Sequence, residues 1–251
     1  MTHYHPKPLW RPSRVWLAPQ IWSGLLQLGA PIVSSIGSPP PHVAETGVGW
    51  GNALISLRIL TPDPFNKHVL NLFSIFSWNV AGLVRHGQAL NKLFVNTDII
   101  CLQETWTPLI PPMKGFYAFL KPSTKTNLFG RPSGGLITYI NHRCLLTATQ
   151  LTVLPTSIQA IKINKLLVGD RSMSLILVNC YINGQGANKK KSLDELIHLL
   201  EDLQTTFPSY ELAVVGDFNL RDLDSSGGPR PPGRALYDCF SNLNLTSLQS
   251  H

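Results

Sequence analysis

The chain has 251 residues, 21 of them Lys or Arg against 14 Asp or Glu, for a net charge of +7. An apolar fraction of 43% with only 14% charged residues excludes a disordered polyelectrolyte, which combines low hydrophobicity with high charge. No apolar run reaches the roughly 20 residues a membrane-spanning helix needs, and four cysteines 36 to 59 residues apart with no CxxC pair exclude zinc ribbons and dithiol redox motifs.

The first seventy residues differ from the rest. They hold ten of the twenty prolines and four of the six tryptophans, with five basic residues against Glu45 and Asp63. Pro39-Pro40-Pro41, Pro62 and Pro64 argue against continuous regular structure before Asn71, because proline lacks a donor and biases its predecessor away from helix. Residues 1–70 therefore read as a disordered or mis-joined leader. Pro19, Gln20, Gln27 and Pro31 break the apolar core that a secretory signal requires. The acid-free, Arg-bearing start resembles a mitochondrial presequence, but Pro6, Pro8, Pro12 and Pro19 spoil its amphipathic helix. The expectation is an intracellular protein of nucleus or cytoplasm, mitochondrial import being the lesser reading, with reduced and mostly buried thiols.

From Asn71 onward apolar runs alternate with polar punctuation. Leu72–Val80, Asp98–Gln103, Phe116–Leu120, Gly135–Ile140, Ile158–Ile163, Ser174–Ile182 and Glu211–Phe218 have the length and the Ile, Val, Leu and aromatic content of strands. A helix is predicted over about Gln88 to Asn96. A second runs from Leu193 to about Phe207, where Leu193, Leu196, Ile197, Leu200 and Leu203 form one apolar stripe and Ser192 with Glu195 suits a capping box. Many strands flanked by few helices indicate an α/β (α+β) sandwich dominated by its sheets.

Three of these strands end in polar residues that a buried strand does not tolerate without a reason. Phe76-Ser77-Trp78 delivers Asn79. Alternation along Ile100-Cys101-Leu102-Gln103 puts Glu104 on the face of Ile100 and Leu102, so a carboxylate emerges from a core strand. Val214-Val215-Gly216 delivers Asp217 and Asn219, which share a face while Phe218 turns into packing and Gly216 keeps the backbone open to close approach. A hard cation such as Mg²⁺ takes one or two carboxylates and completes its shell with water and phosphate. Glu104 is such a ligand, Asp217 can orient or deprotonate a water, and Asn79 and Asn219 can donate to phosphoryl oxygens without adding negative charge. Together they suit metal-assisted attack of water on a phosphate ester. Each motif alone has a plainer reading, as a turn or a solvated strand end.

Ser77-Trp78-Asn79-Val80, Leu102-Gln103-Glu104-Thr105-Trp106, Ser133-Gly134-Gly135-Leu136, Val178-Asn179-Cys180-Tyr181-Ile182 and Val215-Gly216-Asp217-Phe218-Asn219 resemble the successive motifs of the endonuclease/exonuclease/phosphatase superfamily. The Leu-Gln-Glu-Thr-Trp form is similar to the endonuclease domains of LINE-type (non-LTR) retrotransposons. The resemblance spans about residues 72 to 251 and implies a four-layer α/β sandwich of two packed mixed β-sheets with the site at their rim. It implies that Glu104 binds Mg²⁺ or Mn²⁺, that Asn79 supports the phosphate or a metal-bound water, and that Asp217 orients the nucleophile. Asn219 becomes a transition-state donor and Tyr181 a neighbour of the scissile phosphate, although a tyrosine on a core strand also suits packing. Ser133-Gly134-Gly135 reads as a structural turn opening a strand.

The superfamily pattern continues with two more strands and a Ser-Asp-His type motif. Here 32 residues follow Asn219, and Gln249-Ser250-His251 has no aspartate between its serine and histidine. The domain over 71–251 is accordingly expected to be incomplete at its C-terminus, with an open sheet edge and catalysis impaired by about 10²- to 10³-fold for one lost charge-stabilising donor. DNA is the expected partner, with no membrane and no disulfide-linked partner. Lys189, Lys190, Lys191, Arg221, Arg230 and Arg234 fall in predicted loops within reach of backbone phosphates, and solvated surface charge accounts for each equally well. Three readings stand: an Mg²⁺-dependent DNA endonuclease, a phosphoesterase of the same superfamily with another substrate, and a non-enzymatic fragment that binds nucleic acid.

Overall fold

A computed structural model describes residues 14–17, 32–36, 55–62, 70–85, 97–124, 132–144, 147–152, 154–168, 171–182, 186–219 and 233–248. The chain is an α/β sandwich of two mixed sheets. The first contains β1 (Arg14–Leu17), β8 (Thr147–Gln150), β9 (Ile158–Val168), β10 (Arg171–Tyr181), β11 (Glu211–Asp217) and β12 (Thr246–Leu248), in the order β12-β1-β11-β10-β9-β8. The second contains β2 (Ile32–Ile36), β3 (Ile55–Pro62), β4 (Leu70–Asn79), β5 (Ile99–Gln103), β6 (Phe116–Lys121) and β7 (Leu136–Asn141), in the order β2-β3-β4-β5-β7-β6. Only β4 with β5 and β10 with β11 pair in parallel among these neighbours. Two helices, α1 (Gly186–Thr206) and α2 (Gly233–Asn242), cover the outer face of the first sheet.

All seven predicted strands are present. The expectation that regular structure starts only near Asn71 is corrected by β1, β2 and β3, whose backbones pair with Ala213–Gly216 of β11, with each other, and with β4. Proline punctuates these strands instead of forbidding them. Pro12 and Pro19 stand outside β1 in sequence, Pro31 and Pro39 outside β2, and Pro62 is the last residue of β3. The helix expected over Gln88 to Asn96, and with it the outer layer on the second sheet, lies outside the described residues.

Strand alternation separates three cores. Ile75, Ile99, Cys101, Ile161, Leu177 and Val215 meet between the two sheets. Their sequence neighbours Phe76, Trp78, Ile100 and Leu102 face outward from the second sheet. Ile176, Val178, Val214 and Phe218 face the helices, where Leu193, Leu196, Leu200 and Leu203 of α1 and Leu236, Cys239 and Phe240 of α2 complete a third cluster. Burying each such leucine stabilises the fold by about 1.5–3 kcal/mol.

The space between the sheets grades from apolar to polar along the strands. At one end Asp98, opening β5, is buried and accepts from Ser74 N at 2.8 Å and from Arg143 Nε and Nη2 at 2.9 and 2.8 Å. Beyond the apolar middle comes a buried amide layer. Gln103 Nε2 donates to Ser77 Oγ at 3.1 Å and, across the sheets, to Asn179 Oδ1 at 2.8 Å. Asn179 Nδ2 reaches Leu102 O at 3.3 Å and Thr138 Oγ1 at 3.2 Å, and Thr138 donates to Gln159 Oε1 at 2.7 Å. Buried polar groups are tolerated when paired in this way, although Gln103 Oε1 is buried without a hydrogen-bond partner among the described residues. The layer directs β4, β5, β10 and β11 to end together at one polar rim.

The cysteines Cys101, Cys144, Cys180 and Cys239 are all buried and unpaired with one another. Burial pushes the Cys101 thiol from 9.0 up to about 12 and the Cys239 thiol up to about 11. Cys144 rises to about 12 by burial, with the Asp98 carboxylate adding to it. A thiol raised in the fold favours its protonated form there, so its contribution to stability is intact below about pH 9 and is lost as pH climbs toward 12. At pH 8 a chromogenic thiol reagent is expected to label none of the four in the folded chain and all of them in urea; rapid labelling of the folded chain contradicts this packing.

Candidate functional site

The rim is built from strand ends that leave regular geometry. β5 stops at Gln103, and Glu104 and Trp106 both adopt left-handed φ of 52°. Alternation therefore does not place Glu104, as the sequence suggests; a backbone turn does. That turn is held on two sides. Gly82 N and Leu83 N donate to Glu104 O and Thr105 O at 2.8 and 2.9 Å, while Thr105 N and Trp106 N donate to Gly135 O and Gly134 O at 3.2 and 3.1 Å. Gly135, at φ 87°, comes so close that a Cβ there would lie 2.6 Å from Thr105 Oγ1. The Ser133-Gly134-Gly135 turn thus opens β7, as expected, and also clamps the Glu104 segment. Ala81 and Asn219, at φ 45° and 46°, are left-handed at the same rim. Such backbones cost about 1–3 kcal/mol each and persist where surrounding contacts over-determine them.

Asn79 at the end of β4 and Asp217 at the end of β11 meet across the two sheets. Asn79 Nδ2 donates to Asp217 Oδ2 at 2.9 Å, and Asn79 Oδ1 accepts from Ala81 N at 3.2 Å. The other carboxylate oxygen, Oδ1, accepts from Asn219 N at 3.0 Å. With residue exposures of 5% and 2%, both side chains are effectively out of water, so these donors are what makes the buried carboxylate tolerable. Asn219 Nδ2 donates to Ile182 O at 2.8 Å, and Lys189 Nζ donates to Asn219 O. The amides expected to face phosphate are thus engaged with protein acceptors here, Asn79 on Asp217 and Asn219 on the β10 end. Phe218 turns the other way and packs edge-on against Phe240 with ring centroids 6.0 Å apart, as alternation requires. Gly216 carries its load through proximity: at φ 148° its added Cβ would sit 1.9 Å from Cys180 O.

At the same rim opens a cleft of about 470 Å³, whose lining includes Tyr181 but not Asn79, Asp217 or Asn219. Glu104 and Tyr181 line one part of it, and Asn188, Lys191, Ser192 and Glu195 of α1 line another. Tyr181 is half-buried and sits opposite Asp217 in the β10–β11 register. The lysines stand on α1, not in a loop: the helix begins at Gly186, six residues before the expected cap, so Ser192 and Glu195 form no capping box. Lys189 is half-buried, Lys190 exposed, and Lys191 Nζ lies 3.8 Å from Glu195. Arg234 is exposed in the first turn of α2, whereas Arg221 and Arg230 lie outside the described residues. Sequence reasoning missed Asn188 and Glu195, because a helix start set at Ser192 leaves their face of α1 unrecognised. Gln103 and Asn179 have no role in the sequence motifs alone, although an amide in the middle of an apolar run signals a partner across the core.

Among the described residues no group of three His, Cys, Asp or Glu side chains is gathered to hold a metal ion unaided. Glu104 and Glu195 are the carboxylates that line the cleft, a donor set that fits a hard cation taking one or two carboxylates and the rest of its shell from water and substrate.

No model of a protein family matches the sequence, and no curated protein does. Among solved structures, the chain is similar to a 3'-5' exonuclease (NExo) from Neisseria meningitidis, at 22% identity and a TM-score of 0.49, over 67% of this chain and 70% of that one. It is similar to the catalytic domain of human Nocturnin at 15% identity and a TM-score of 0.43, over 59% of this chain and 64% of that one. It is also similar to the catalytic domain of Xenopus laevis APE2 at 18% identity and a TM-score of 0.44, over 66% of this chain and 67% of that one.

The close approach at Gly216 yields a direct check. Gly216→Ala is expected to lower unfolding free energy by about 3 kcal/mol, the upper range for overpacking, in urea denaturation. A loss below about 0.5 kcal/mol, the scale of a neutral surface change, contradicts the β10–β11 packing.

Proposed function

We propose that the chain is a phosphodiester hydrolase acting on DNA with Mg²⁺ or Mn²⁺, of the endonuclease/exonuclease/phosphatase type and similar to the endonuclease of a LINE-type retrotransposon. The observation that carries this reading is the bond between Asn79 and Asp217 across the sheets, beside a cleft lined by Glu104 and Tyr181. Residues from four strand ends, singled out by their chemistry, converge at one rim.

Glu104 would hold the cation, which takes one or two carboxylates from a protein. The bound ion supplies Lewis-acid stabilisation of charge on the phosphoryl oxygens. Asp217, fixed by Asn79 and by the amide of Asn219, orients the attacking water and takes its proton as the water oxygen bonds to phosphorus, while the P–O bond to the leaving sugar oxygen breaks and that oxygen takes a proton from solvent. Tyr181 flanks the scissile phosphate from the cleft wall, and Lys191 meets a backbone phosphate as a point charge. A cleft of about 470 Å³ lies within the usual range of roughly 300–1,000 Å³ for ligand sites.

A supercoiled-plasmid nicking assay with the full chain in Mg²⁺ tests the proposal. Nicking that EDTA abolishes, and that Glu104→Ala or Asp217→Ala each lowers by at least about 10²-fold, is the expected result. If the unmutated chain nicks no faster than either variant, catalysis is excluded and the non-enzymatic, nucleic-acid-binding reading takes its place.

A further inference from the structure

Three consecutive lysines at the start of α1 project about 100° apart around the helix, and their surroundings differ accordingly. Lys191 lines the cleft with Glu104, Tyr181 and Asn188. Lys190 and Lys191 are both exposed, while Lys189 is half-buried and donates to the carbonyl oxygen of Asn219. Asn219 is itself left-handed at φ 46°, a conformation that asparagine adopts more readily than other non-glycine residues. Its N–H donates to Asp217 Oδ1 at 3.0 Å, its side chain to Ile182 O at 2.8 Å, and Asp217 Oδ2 accepts from Asn79 at 2.9 Å. A continuous line of bonds therefore runs from α1 through the turn after β11 to the opposite sheet.

We propose that Lys189 is a positioning residue for Asp217 and not a phosphate contact, and that the phosphate contact inside the cleft falls to Lys191. The ammonium draws the Asn219 carbonyl toward α1, which turns the Asn219 N–H back onto the Asp217 carboxylate. Charge-assisted bonds of this kind are roughly twice as strong as neutral ones, and a lysine spent on a backbone carbonyl is withdrawn from the nucleic-acid face. Lys191 remains in the cleft, its ammonium 3.8 Å from Glu195 Oε1 on the next turn. The kinetic half of this proposal rests on the hydrolase reading; the structural half does not.

Two measurements on the full chain separate them. Amide hydrogen exchange at Asn219 reads the bond to Asp217 without any turnover. Lys189→Met is expected to speed that exchange about tenfold, the equivalent of losing one hydrogen bond to a charged group. Lys189→Arg should restore most of the protection, and Asp202→Asn, on the exposed side of α1, should leave it unchanged. In the nicking assay Lys189→Met lowers kcat about tenfold with KM unaltered, by the same loss of one charged bond. Lys191→Met instead raises KM and reduces the salt slope of DNA binding by about one unit. Unchanged Asn219 exchange in Lys189→Met, or a Lys189→Met defect that falls in KM and the salt slope, overturns the proposal. An inactive parent chain whose Asn219 exchange still depends on Lys189 refutes the hydrolase reading while upholding the positioning role.

Discussion

A buried carboxylate cannot sit between two β-sheets unless donors are brought to it, and the arrangement of this rim follows from that constraint. Asp217 is the last residue of β11, and Asn79 is the last residue of β4 in the opposite sheet. Their 2.9 Å bond fixes how far the strands of one sheet extend relative to those of the other. Shifting either strand by one residue would flip its alternation, leaving the acid with an apolar neighbour and the amide facing a different core. The charge is desolvated and therefore expensive to leave unpaired, so the pairing acts as a register lock for the whole sandwich.

The amide layer beneath extends the same logic. Gln103, Asn179, Thr138 and Gln159 convert an apolar interior into a polar one over two residues of strand, so the rim is reached gradually. Above it the backbone leaves regular structure at Ala81, Glu104, Trp106 and Asn219; Gly82, Gly134 and Gly135 hold the Glu104–Trp106 turn, Asn79 holds Ala81, and Asp217 and Lys189 hold Asn219. Glu104 consequently reaches the cleft from a turn clamped on both sides, a more rigid mount than an open loop. Rigid mounting of polar groups around a cleft is what electrostatic preorganisation demands.

The strands were legible because each inner face and outer face is apolar, so their sequences read as continuous runs bounded by turn residues. The convergence of Asn79, Glu104 and Asp217 was legible for a related reason: a polar side chain that closes a buried apolar run must meet either a protein partner or a ligand. The remainder was hidden by local chemistry. Thr147–Gln150 forms β8 without an apolar face, so no periodicity announces it. The α2 stripe of Leu236, Cys239 and Phe240 follows a Gly- and Pro-rich stretch that reads as loop. Left-handed residues at Glu104 and Asn219 are invisible to an alternation argument. The early start of α1 at Gly186 is masked by three lysines that resemble loop charge, and it moves the polar face of the helix onto the cleft.

A double-mutant cycle in unfolding free energy for Asn79→Ala, Asp217→Ala and the double variant tests the central pairing most directly. A coupling of about 1.5–3 kcal/mol, as expected for a buried hydrogen bond to a charged group, is the predicted result. Additivity within about 0.3–0.5 kcal/mol, as found for independent sites, would contradict the claim that this pair locks the two sheets together at the rim.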